Sequence, residues 1–456
     1  MEKNMYDLIV IGAGPGGYEA AFDAAERGMK TCLIEKDALG GTCLNRGCIP
    51  TKSLLHASSL YRAASEGERF GVLAENVSYD LQKIQERKNE VVGRLRTGIE
   101  GRAKKLKVEV RYGTGSIRDA SHVVLRTAEG EEVLETARIL IATGSVPAVP
   151  PIPGSTLPGV YTSDTLLSET KEIGRLTVIG GGVIGAEFAC FYRDLGKEVT
   201  VIEALPQMLN GADRELSLSL KQLFTKRGIS VHLSSLVSAI EEGSAGTLQV
   251  RFSEKEEEKT LETDAVLLAV GRRCFTEGLF EEGFSVKTER GRILVDENNE
   301  TSVPSVYAIG DVTGGIMLAH AAAAEGQNAV AAMCGDPVRP DLSLVPSCIY
   351  TEPEIAFVGL SLAAAKECGI DADSKKALMG ANGRTVIAEG ERGFVRIVFE
   401  KESGRILGAQ LMCERASDMV SELTEAIRLG VTVRELSRVI HPHPTFAEAI
   451  QEALKS

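Results

Sequence analysis

The segment from Gly40 to Lys52 holds two cysteines whose spacing could support redox chemistry. Its sequence is GGTCLNRGCIPTK, with Cys43 and Cys48 five positions apart. In a regular helix, Cα atoms at this separation lie about 8–9 Å apart, whereas a disulfide requires roughly 4.4–6.8 Å. A bridge therefore needs the glycine-rich turn and an irregular first helical turn to bring the sulfurs together. Pro50 suits an early helical position, and a helix N-terminus lowers the pKa of a nearby thiol, so we predict a redox-active pair.

Three other interpretations of this pair remain open at this point. A structural disulfide is typical of secreted proteins, and the N-terminal sequence carries no export signal. A zinc site needs further Cys or His ligands at metal-ligand spacing, and the sequence contains no second such pair, so we predict no metal. Two inert thiols would explain an isolated pair, although they would leave the neighbouring motifs unexplained.

The composition limits the classes of function. The 456 residues are 43% hydrophobic and 25% charged, as in globular proteins, and the length suggests roughly two to four domains. The net charge of −13 argues against a surface for nucleic acid or an anionic membrane. No apolar run reaches the roughly 18 residues of a membrane span. Nine scattered cysteines, an odd number, indicate reduced thiols, so we expect a cytoplasmic protein.

A dinucleotide-binding signature precedes the cysteines. The buried-strand run Tyr6–Val10 leads into Gly12-Ala13-Gly14-Pro15-Gly16-Gly17, a helix over Tyr18–Glu26, and a second strand that ends at Glu35. The glycines let the backbone approach a pyrophosphate at the helix N-terminus, and the acid accepts a hydrogen bond from a ribose hydroxyl. The complete strand–turn–helix–strand context makes the motif specific.

The same unit occurs a second time. Gly180, Gly182 and Gly185 follow a strand run, and the next strand ends at Glu203, which lies 21 positions after Gly182, as Glu35 lies 21 after Gly14. Two matching units predict two nucleotide cofactors. An acid at this position pairs with a free 2′-hydroxyl and repels a 2′-phosphate, so we predict NAD rather than NADP.

Between the two units, the sequence predicts a long amphipathic helix over Tyr79–Gly101, with an apolar side that we assign to the core. That side consists of Leu81, Ile84, Val91, Leu95 and Ile99. The proline-rich segment Val146–Pro158 has no periodicity and predicts a domain boundary.

The C-terminal sequence His441-Pro442-His443-Pro444 offers a proton-transfer group. Thiol–disulfide exchange needs a base that titrates near neutrality, and imidazole does so. A carboxylate such as Glu448 would fix the tautomer of His443 and stabilise its cation. Local hydrogen bonding in a loop is the alternative for both histidines, and for His441 the two interpretations are equally supported.

Taken together, these motifs resemble those of the pyridine nucleotide–disulfide oxidoreductases over essentially the whole chain. The most specific are the cysteine segment, the two glycine turns, Ala308-Ile309-Gly310-Asp311, Met317-Leu318-Ala319-His320 and the His-Pro-His-Pro-Thr tail. The resemblance implies an α/β fold with two Rossmann-like dinucleotide-binding domains and an α+β C-terminal dimerisation domain. It implies a first part of the FAD domain at 1–147, an inserted NAD domain at 148–272, a central segment completing the FAD domain at 273–344, and an interface domain at 345–456.

The resemblance also implies roles for the reactive residues. Cys48 would face the flavin, and Cys43 would be the interchange thiol that exchanges with the substrate. Lys52 and Glu187 would form an ion pair beside the flavin ring. The family is homodimeric, and its tail histidine serves the partner subunit's site, so His443 would be the base and Glu448 its orienting carboxylate.

Cofactor contacts carried over from the family fall on two sets of residues. For FAD they are Gly12, Gly14, Gly17, Glu35, Lys52, Gly115, Thr143, Gly144, Ser145, Asp311, Met317, Leu318, Ala319 and His320. For NAD they are Gly180, Gly182, Gly185, Glu187, Glu203, Val237 and Gly271.

Within the family, the branch that oxidises dihydrolipoyl groups is the most similar. The resemblance therefore implies electron transfer from a lipoylated carrier protein of a 2-oxoacid dehydrogenase or glycine cleavage complex, through Cys43–Cys48 and FAD, to NAD. Two alternatives are an NADH-dependent reductase of another small disulfide and a non-catalytic assembly subunit of a multienzyme complex. The stretches Gly271-Arg272-Arg273-Cys274-Phe275, which lacks a common Pro-Asn, and Cys413-Glu414-Arg415 depart from the family pattern.

Overall fold

The computed structural model describes residues 5–337, 340–390 and 392–455. The helices are α1 (Pro15–Glu26), α2 (Gly41–Arg46), α3 (Cys48–Ser65), α4 (Leu81–Lys105), α5 (Ser163–Leu166), α6 (Val183–Asp194), α7 (Arg214–Lys226), α8 (Ala319–Met333), α9 (Leu362–Glu367), α10 (Gly383–Ile387), α11 (Ala416–Arg428), α12 (Val433–Leu436) and α13 (Glu448–Lys455). Short 3₁₀ segments lie at Gly67–Phe70, Ser244–Gly246, Gly310–Thr313 and Met379–Ala381.

The strands are distributed over several sheets. They are β1 (Leu8–Ile11), β2 (Thr31–Glu35), β3 (Glu109–Tyr112), β4 (Thr114–Asp119), β5 (His122–Thr127), β6 (Gly130–Glu135), β7 (Ile139–Ile141), β8 (Ser145–Pro147), β9 (Val160–Thr162), β10 (Arg175–Ile179), β11 (Glu198–Ile202), β12 (Ile229–His232), β13 (Ser235–Glu242), β14 (Leu248–Glu254), β15 (Glu257–Thr263), β16 (Ala265–Leu268), β17 (Arg272–Cys274), β18 (Thr288–Glu289), β19 (Arg292–Ile293), β20 (Val306–Ala308), β21 (Ser347–Ile349), β22 (Glu354–Gly359), β23 (Ala372–Leu378), β24 (Phe394–Glu400) and β25 (Ile406–Cys413).

Two parallel sheets form the centres of the nucleotide-binding units. One has the order β3-β2-β1-β7-β20 and the other β12-β11-β10-β16-β9. In the first, β1 pairs in parallel with β2 and β7; in the second, β10 pairs in the same way with β11 and β16. The central strands β1 and β10 are almost fully buried, which explains their Val, Ile and Leu runs. The predicted α/β class with two Rossmann-like units is confirmed.

The last part of the chain forms an antiparallel sheet in the order β21-β22-β25-β24-β23. Helices α11 and α13 pack on it, and Leu411, Leu423 and Ile450 are fully buried in their common core. An ion-pair group joins this sheet to the second unit: Arg396 on β24 lies 3.3 Å from Asp213, which caps α7, and also pairs with Glu215. The C-terminal α+β region is therefore docked on the second nucleotide-binding unit.

Helix α4 departs from the prediction in its buried face. It begins at Leu81, because the Asp80 side chain caps it by accepting the Lys83 N–H. Leu95, predicted in the core, is 43% exposed, whereas Gln85 and Lys88 are each only 5% exposed. The assignment of the apolar stripe to the core is therefore wrong at Leu95.

Hydrogen bonds account for the buried polar residues of α4. The Lys88 ammonium donates to the Gln85 side chain at 2.6 Å and to the Leu167 carbonyl at 2.8 Å, and the Gln85 amide donates to the Glu169 carbonyl at 3.0 Å. These bonds join α4 to the turn after α5. Buried polar groups are tolerated where such partners exist, and an apolarity pattern does not reveal them.

No described helix combines the length and the apolarity that crossing a bilayer requires.

Helices α1 and α8 approach closely at two glycines. A Cβ at Gly326 would lie 2.9 Å from the Gly16 carbonyl oxygen and 3.0 Å from the Ala20 Cβ. The first distance is shorter than real Cβ contacts, and the atom is backbone, so the helices would have to separate. This crossing holds α8 against the first glycine turn.

We expect Gly326→Ala to lower the free energy of unfolding by about 1–3 kcal/mol because of overpacking. Gly98→Ala is the matched control, since Gly98 is a helical glycine at which an added Cβ would meet no atom within 4 Å. That control should raise the free energy by about 0.5–1 kcal/mol through the lower backbone entropy of alanine. Urea unfolding of both variants measures the difference, and changes of the same sign would contradict the assignment.

Candidate active site

A helix break brings the two cysteines together. Cys43 lies in α2 and Cys48 opens α3, and Gly47 between them adopts φ −146° and ψ −111°. A Cβ on Gly47 would lie 3.0 Å from the Thr42 carbonyl oxygen, so the backbones are in close contact. The two sulfurs, both present as thiols, are hydrogen-bonded to each other. The predicted irregular helical turn is confirmed.

The surroundings place the negative charge of the pair on Cys48. The hydrogen bond from Cys43 lowers the pKa of Cys48, and the Lys52 ammonium lowers it further, whereas burial and the Glu187 carboxylate oppose them. The pKa of Cys43 is raised by the same hydrogen bond and by burial. In the reduced pair, Cys48 is therefore the more acidic of the two thiols.

Lys52 and Glu187 form the ion pair that the resemblance implies. The Lys52 Nζ lies 2.8 and 2.7 Å from the two carboxylate oxygens of Glu187, whose side chain is only 4% exposed. Lys52 lies one turn after Cys48 on α3, and Glu187 projects from α6. The Tyr350 N–H donates to Glu187 at 3.1 Å, and the Lys52 Nζ is 4.5 Å from the centre of the Tyr350 ring.

The first glycine turn has the close contacts that the motif requires. Gly12 has φ +102°, and a Cβ there would lie 2.3 Å from the Ala142 carbonyl oxygen. A Cβ on Gly17 would lie 1.9 Å from the Gly12 carbonyl oxygen, which explains the third glycine. At Gly14 the nearest atom to a Cβ is 4.0 Å away, so the space before α1 is open.

The second glycine turn repeats this arrangement. Gly180 has φ +110° with a Cβ position 2.3 Å from the Ala269 carbonyl oxygen, and that of Gly185 is 2.1 Å from the Gly180 carbonyl oxygen. A Cβ at Gly182 would meet no atom within 4 Å. Each turn therefore leaves an open space in front of a helix N-terminus, which fits a pyrophosphate.

The acidic residues at the end of β2 and directly after β11 make equivalent contacts in the two units. Glu35 accepts the Ala13 N–H at 2.8 Å, and Glu203 accepts the Gly181 N–H at 2.6 Å. Each carboxylate thus lies beside its glycine turn with lone pairs left for a ribose. The geometry fits a dinucleotide at both turns.

One cavity of about 1410 Å³ connects the two turns with the cysteines. The predicted residues that line it include Gly12, Gly14, Gly17, Glu35, Cys43, Cys48, Lys52, Gly115, Thr143, Gly144, Ser145, Gly180, Gly182, Glu187, Glu203, Val237, Gly271, Asp311, Met317, Leu318, Ala319 and His320. Gly185 is not in this lining, because it packs against the Gly180 carbonyl.

The predicted base lies elsewhere in the same chain. His443 Nδ1 is 2.9 Å from Glu448 Oε1, and the imidazole is 78% exposed. The Thr445 N–H and His443 hold the pKa of Glu448 below its ordinary value. Neither His443 nor Glu448 is among the described residues that line the cavity. The Nε2 atom of His441 lies 3.0 Å from the Oε1 atom of Glu422 on α11.

Several residues at the cavity were not predicted from the sequence. Tyr350 and Cys348 line it, and burial raises the pKa of Cys348 to about 11, which makes this thiol a poor nucleophile. Arg272 and Cys274 contact the Ser145–Asp311 pair. The departure from the family pattern at Gly271-Arg272-Arg273-Cys274-Phe275 marked the last two of these residues, and no sequence pattern marked Tyr350 or Cys348. Within the described ranges, no group of three or more His, Cys, Asp or Glu side chains could hold a metal ion.

Comparison with known proteins gives consistent results. The family model described as pyridine nucleotide-disulphide oxidoreductase matches residues 6–326, and the dimerisation domain of that family matches residues 345–454. Dihydrolipoyl dehydrogenase of Geobacillus stearothermophilus is 39% identical over 98% of this chain and 95% of the relative. That of Bacillus subtilis (strain 168) shows the same identity and coverage.

Two solved structures are similar to this chain over nearly its full length. LpdA from Mycobacterium tuberculosis has a TM-score of 0.91 and 27% identity, covering 98% of this chain and 99% of that one. The HOCl-induced flavoprotein disulfide reductase RclA from Escherichia coli has a TM-score of 0.87 and 28% identity, covering 99% of both chains. This chain therefore belongs to the pyridine nucleotide-disulphide oxidoreductase family.

Proposed function

We propose that this protein is an FAD-dependent dihydrolipoyl dehydrogenase that oxidises dihydrolipoyl groups to lipoyl groups with reduction of NAD. The observation that carries this proposal is the hydrogen-bonded Cys43–Cys48 pair in one cavity with both glycine turns. The curated relatives at 39% identity support the choice of substrate through their names.

Each nucleotide site has the residues that its cofactor needs. Gly14 and Glu35 would hold FAD at the first turn, and Gly182 and Glu203 would hold NAD at the second. When bound, FAD and NAD carry the two electrons that the thiol pair releases. Glu203 accepts the N–H groups of Gly181 and Leu205, which fixes its charge beside the second site and disfavours a 2′-phosphate.

The thiol chemistry follows from the charges of the pair. A substrate thiolate attacks the Cys43 sulfur of the oxidised pair, and the Cys43–Cys48 bond breaks to release Cys48 as a thiolate that Lys52 stabilises. The second substrate thiol then attacks the mixed disulfide, forming the lipoyl disulfide and freeing Cys43. Two substrate protons must be removed, and a base near neutrality does this best.

We assign that base to His443 of the partner subunit in a homodimer, with Glu448 as its orienting carboxylate. The dimerisation domain matched at residues 345–454 supports this arrangement. The 78% exposure of His443 leaves its ring available to a neighbouring chain.

The proposal extends to domain limits, partner and location. The antiparallel pairing of β8 with β17 supports an inserted unit at 148–272 between 1–147 and 273–344, followed by an interface domain at 345–456. The electron donor is a lipoylated carrier protein of a 2-oxoacid dehydrogenase or glycine cleavage complex in the cytoplasm.

A second candidate function is reduction of another small disulfide with NADH, favoured by the likeness to the disulfide reductase RclA. Rates with lipoamide, glutathione disulfide and coenzyme A disulfide separate the two candidates. A non-catalytic assembly role is disfavoured by the intact Cys43–Cys48 and His443–Glu448 pairs.

We expect Cys48→Ser to retain bound FAD and to lose lipoamide turnover, because the second sulfur of the exchange is absent. Cys368→Ser changes an exposed thiol and serves as the control, with turnover like that of the unaltered protein. Flavin absorbance and NAD-linked lipoamide assays measure both properties. Turnover by Cys48→Ser would refute the proposed function.

Replacements at the ion pair should move the pKa of Cys48 in opposite directions. Lys52→Gln removes a cation that stabilises the thiolate, so the pKa rises and less thiolate is present at neutral pH. Glu187→Gln removes a destabilising anion, so the pKa falls. The pH dependence of Cys48 alkylation, followed by peptide mass mapping, reports each shift, and shifts of the same sign would contradict the assignment.

Mixed dimers test whether His443 acts across subunits. A dimer of one Cys48→Ser chain and one His443→Gln chain contains one complete site only if the base comes from the partner subunit. Random mixing should then restore about a quarter of the unaltered turnover, because half of the dimers are mixed and each has one complete site. Each variant alone is the control. Activity no greater than their mean would place the base in its own chain.

A further inference from the structure

Two short strands carry the chain between the nucleotide-binding units. β8 leaves the first unit and β17 returns from the second, and they pair with each other in antiparallel register. Ser145 on β8 stands directly opposite Cys274 on β17. Because both connections between the units run through this two-stranded ribbon, a shift of one unit against the other would alter the geometry of the ribbon.

Both residues of that cross-strand pair hold Asp311. The Ser145 hydroxyl donates to the Asp311 carboxylate, and the Cys274 thiol donates to the Asp311 carbonyl oxygen at 3.0 Å. A side chain without a donor group at position 274 could not make the second of these bonds. Asp311 is thus held at both its side chain and its main chain.

Arg272 controls the direction of the serine proton. Its Nε donates to the Ser145 hydroxyl oxygen at 2.7 Å and its Nη2 to the Ser145 carbonyl oxygen at 2.9 Å. A serine hydroxyl has one proton, and because its oxygen accepts from Arg272, that proton is directed to Asp311. The arrangement leaves the other oxygen of Asp311 free to accept from a cofactor hydroxyl.

The same guanidinium reaches the second unit. Its Nη1 lies 3.7 Å from Asp164 Oδ1 on α5, and the Arg272 side chain is only 13% exposed. Asp164, Arg272, Ser145 and Asp311 therefore form a continuous polar chain between the two nucleotide sites. Gly271, which lines the cavity at the second site, directly precedes Arg272.

We propose that Arg272 is a positioning residue that orients Ser145 and Asp311 for FAD and couples FAD affinity to the second nucleotide site. This inference rests on the proposed function, since it assumes an FAD site at Asp311. The group that Asp311 would accept from is a hydroxyl of the flavin nucleotide. Asp164 provides the connection through which occupation of the NAD site acts on that carboxylate.

Apoprotein stripped of flavin provides the first test, with the FAD dissociation constant read from quenching of flavin fluorescence. Arg272→Gln should weaken FAD binding at least about tenfold, because a charge-assisted hydrogen bond to a buried group is lost. Arg273→Gln is the matched control: Arg273 is the adjacent residue, its side chain is 53% exposed, and it pairs with Glu277 at 2.7 Å. The control should bind FAD as the unaltered chain does.

A double-variant cycle separates positioning from general loss of structure. If Arg272 acts through Ser145, then Arg272→Gln together with Ser145→Ala should bind FAD no more weakly than Ser145→Ala alone, within about twofold. Arg272→Lys keeps the charge without the two-point contact and should resemble Arg272→Gln. A double variant that binds FAD more than about twofold more weakly than Ser145→Ala alone would overturn the assignment.

Coupling to the second site is measured by repeating the titration with saturating NAD. In the unaltered chain and in Arg273→Gln, NAD should change the FAD dissociation constant by at least about threefold, and the effect must be reciprocal. Asp164→Asn and Arg272→Gln should abolish that change. Absence of the change in the unaltered chain, or its survival in either variant, would overturn the coupling.

The outcomes distinguish this inference from the proposed function. Failure of the unaltered apoprotein to bind FAD would refute the proposed function itself. FAD binding by the unaltered chain with an Arg272→Gln constant within about twofold of it would refute only the inference. If Arg272→Gln does not fold, Cys274→Ala and Asp164→Asn remove other contacts of the same polar group around Arg272 and Asp311. Unchanged FAD binding and unchanged coupling in both variants would overturn the proposal.

Discussion

A thiolate at Cys48 would have to stay charged inside a cavity whose walls are largely apolar, and the hydrogen bond from Cys43 and the Lys52 ammonium both favour that charge. A buried charge is costly unless it is compensated, and here the cation lies one helical turn after Cys48 on the same helix. Glu187 fixes the ammonium at 2.7 Å, and its own charge is stabilised by the Tyr350 N–H. Three segments that are distant in sequence must therefore meet at one point.

A second group of ions holds those segments in place. Further along the same two helices, Arg62 of α3 lies 3.2 Å from Asp194 of α6, and Arg62 also pairs with Glu352. Arg227 pairs with Asp194 from the end of α7. Burial raises the pKa of Asp194, and the two guanidinium groups oppose that rise. The crossing of α3 and α6 is thus fixed at both ends, and this fixes the Cys48–Lys52–Glu187 geometry.

The parts of the molecule that follow from local rules could be predicted from the sequence. The glycine turns, their acids and the helix break at Gly47 depend on residues close together in the chain. Contacts made by polar atoms across long separations could not be predicted. From the sequence, Lys88 would be assigned to the surface, because the Leu167 carbonyl that accepts its hydrogen bond lies far away along the chain. Arg272 is equally uninformative in sequence, because its partners Ser145 and Asp164 come from earlier segments.

Most of the imidazole groups lie outside the cavity. The chain has six histidines, all of them in the described ranges: His56, His122, His232, His320, His441 and His443. Of these, only His320 lines the cavity, and it donates its Nε2–H to the Pro346 carbonyl oxygen at 2.7 Å. That bond ties α8 to the segment that precedes β21.

His443 has the opposite character, since a carboxylate holds one ring nitrogen while the rest of the ring is exposed. An oriented, exposed imidazole is the kind of base that the proposed exchange at the thiol pair needs. A two-fold dimer can bring one chain's tail to the other chain's cavity and repeat the contact symmetrically. In the proposed reaction the proton path would cross from one chain to the other, whereas both glycine turns and the thiol pair lie in one cavity of a single chain.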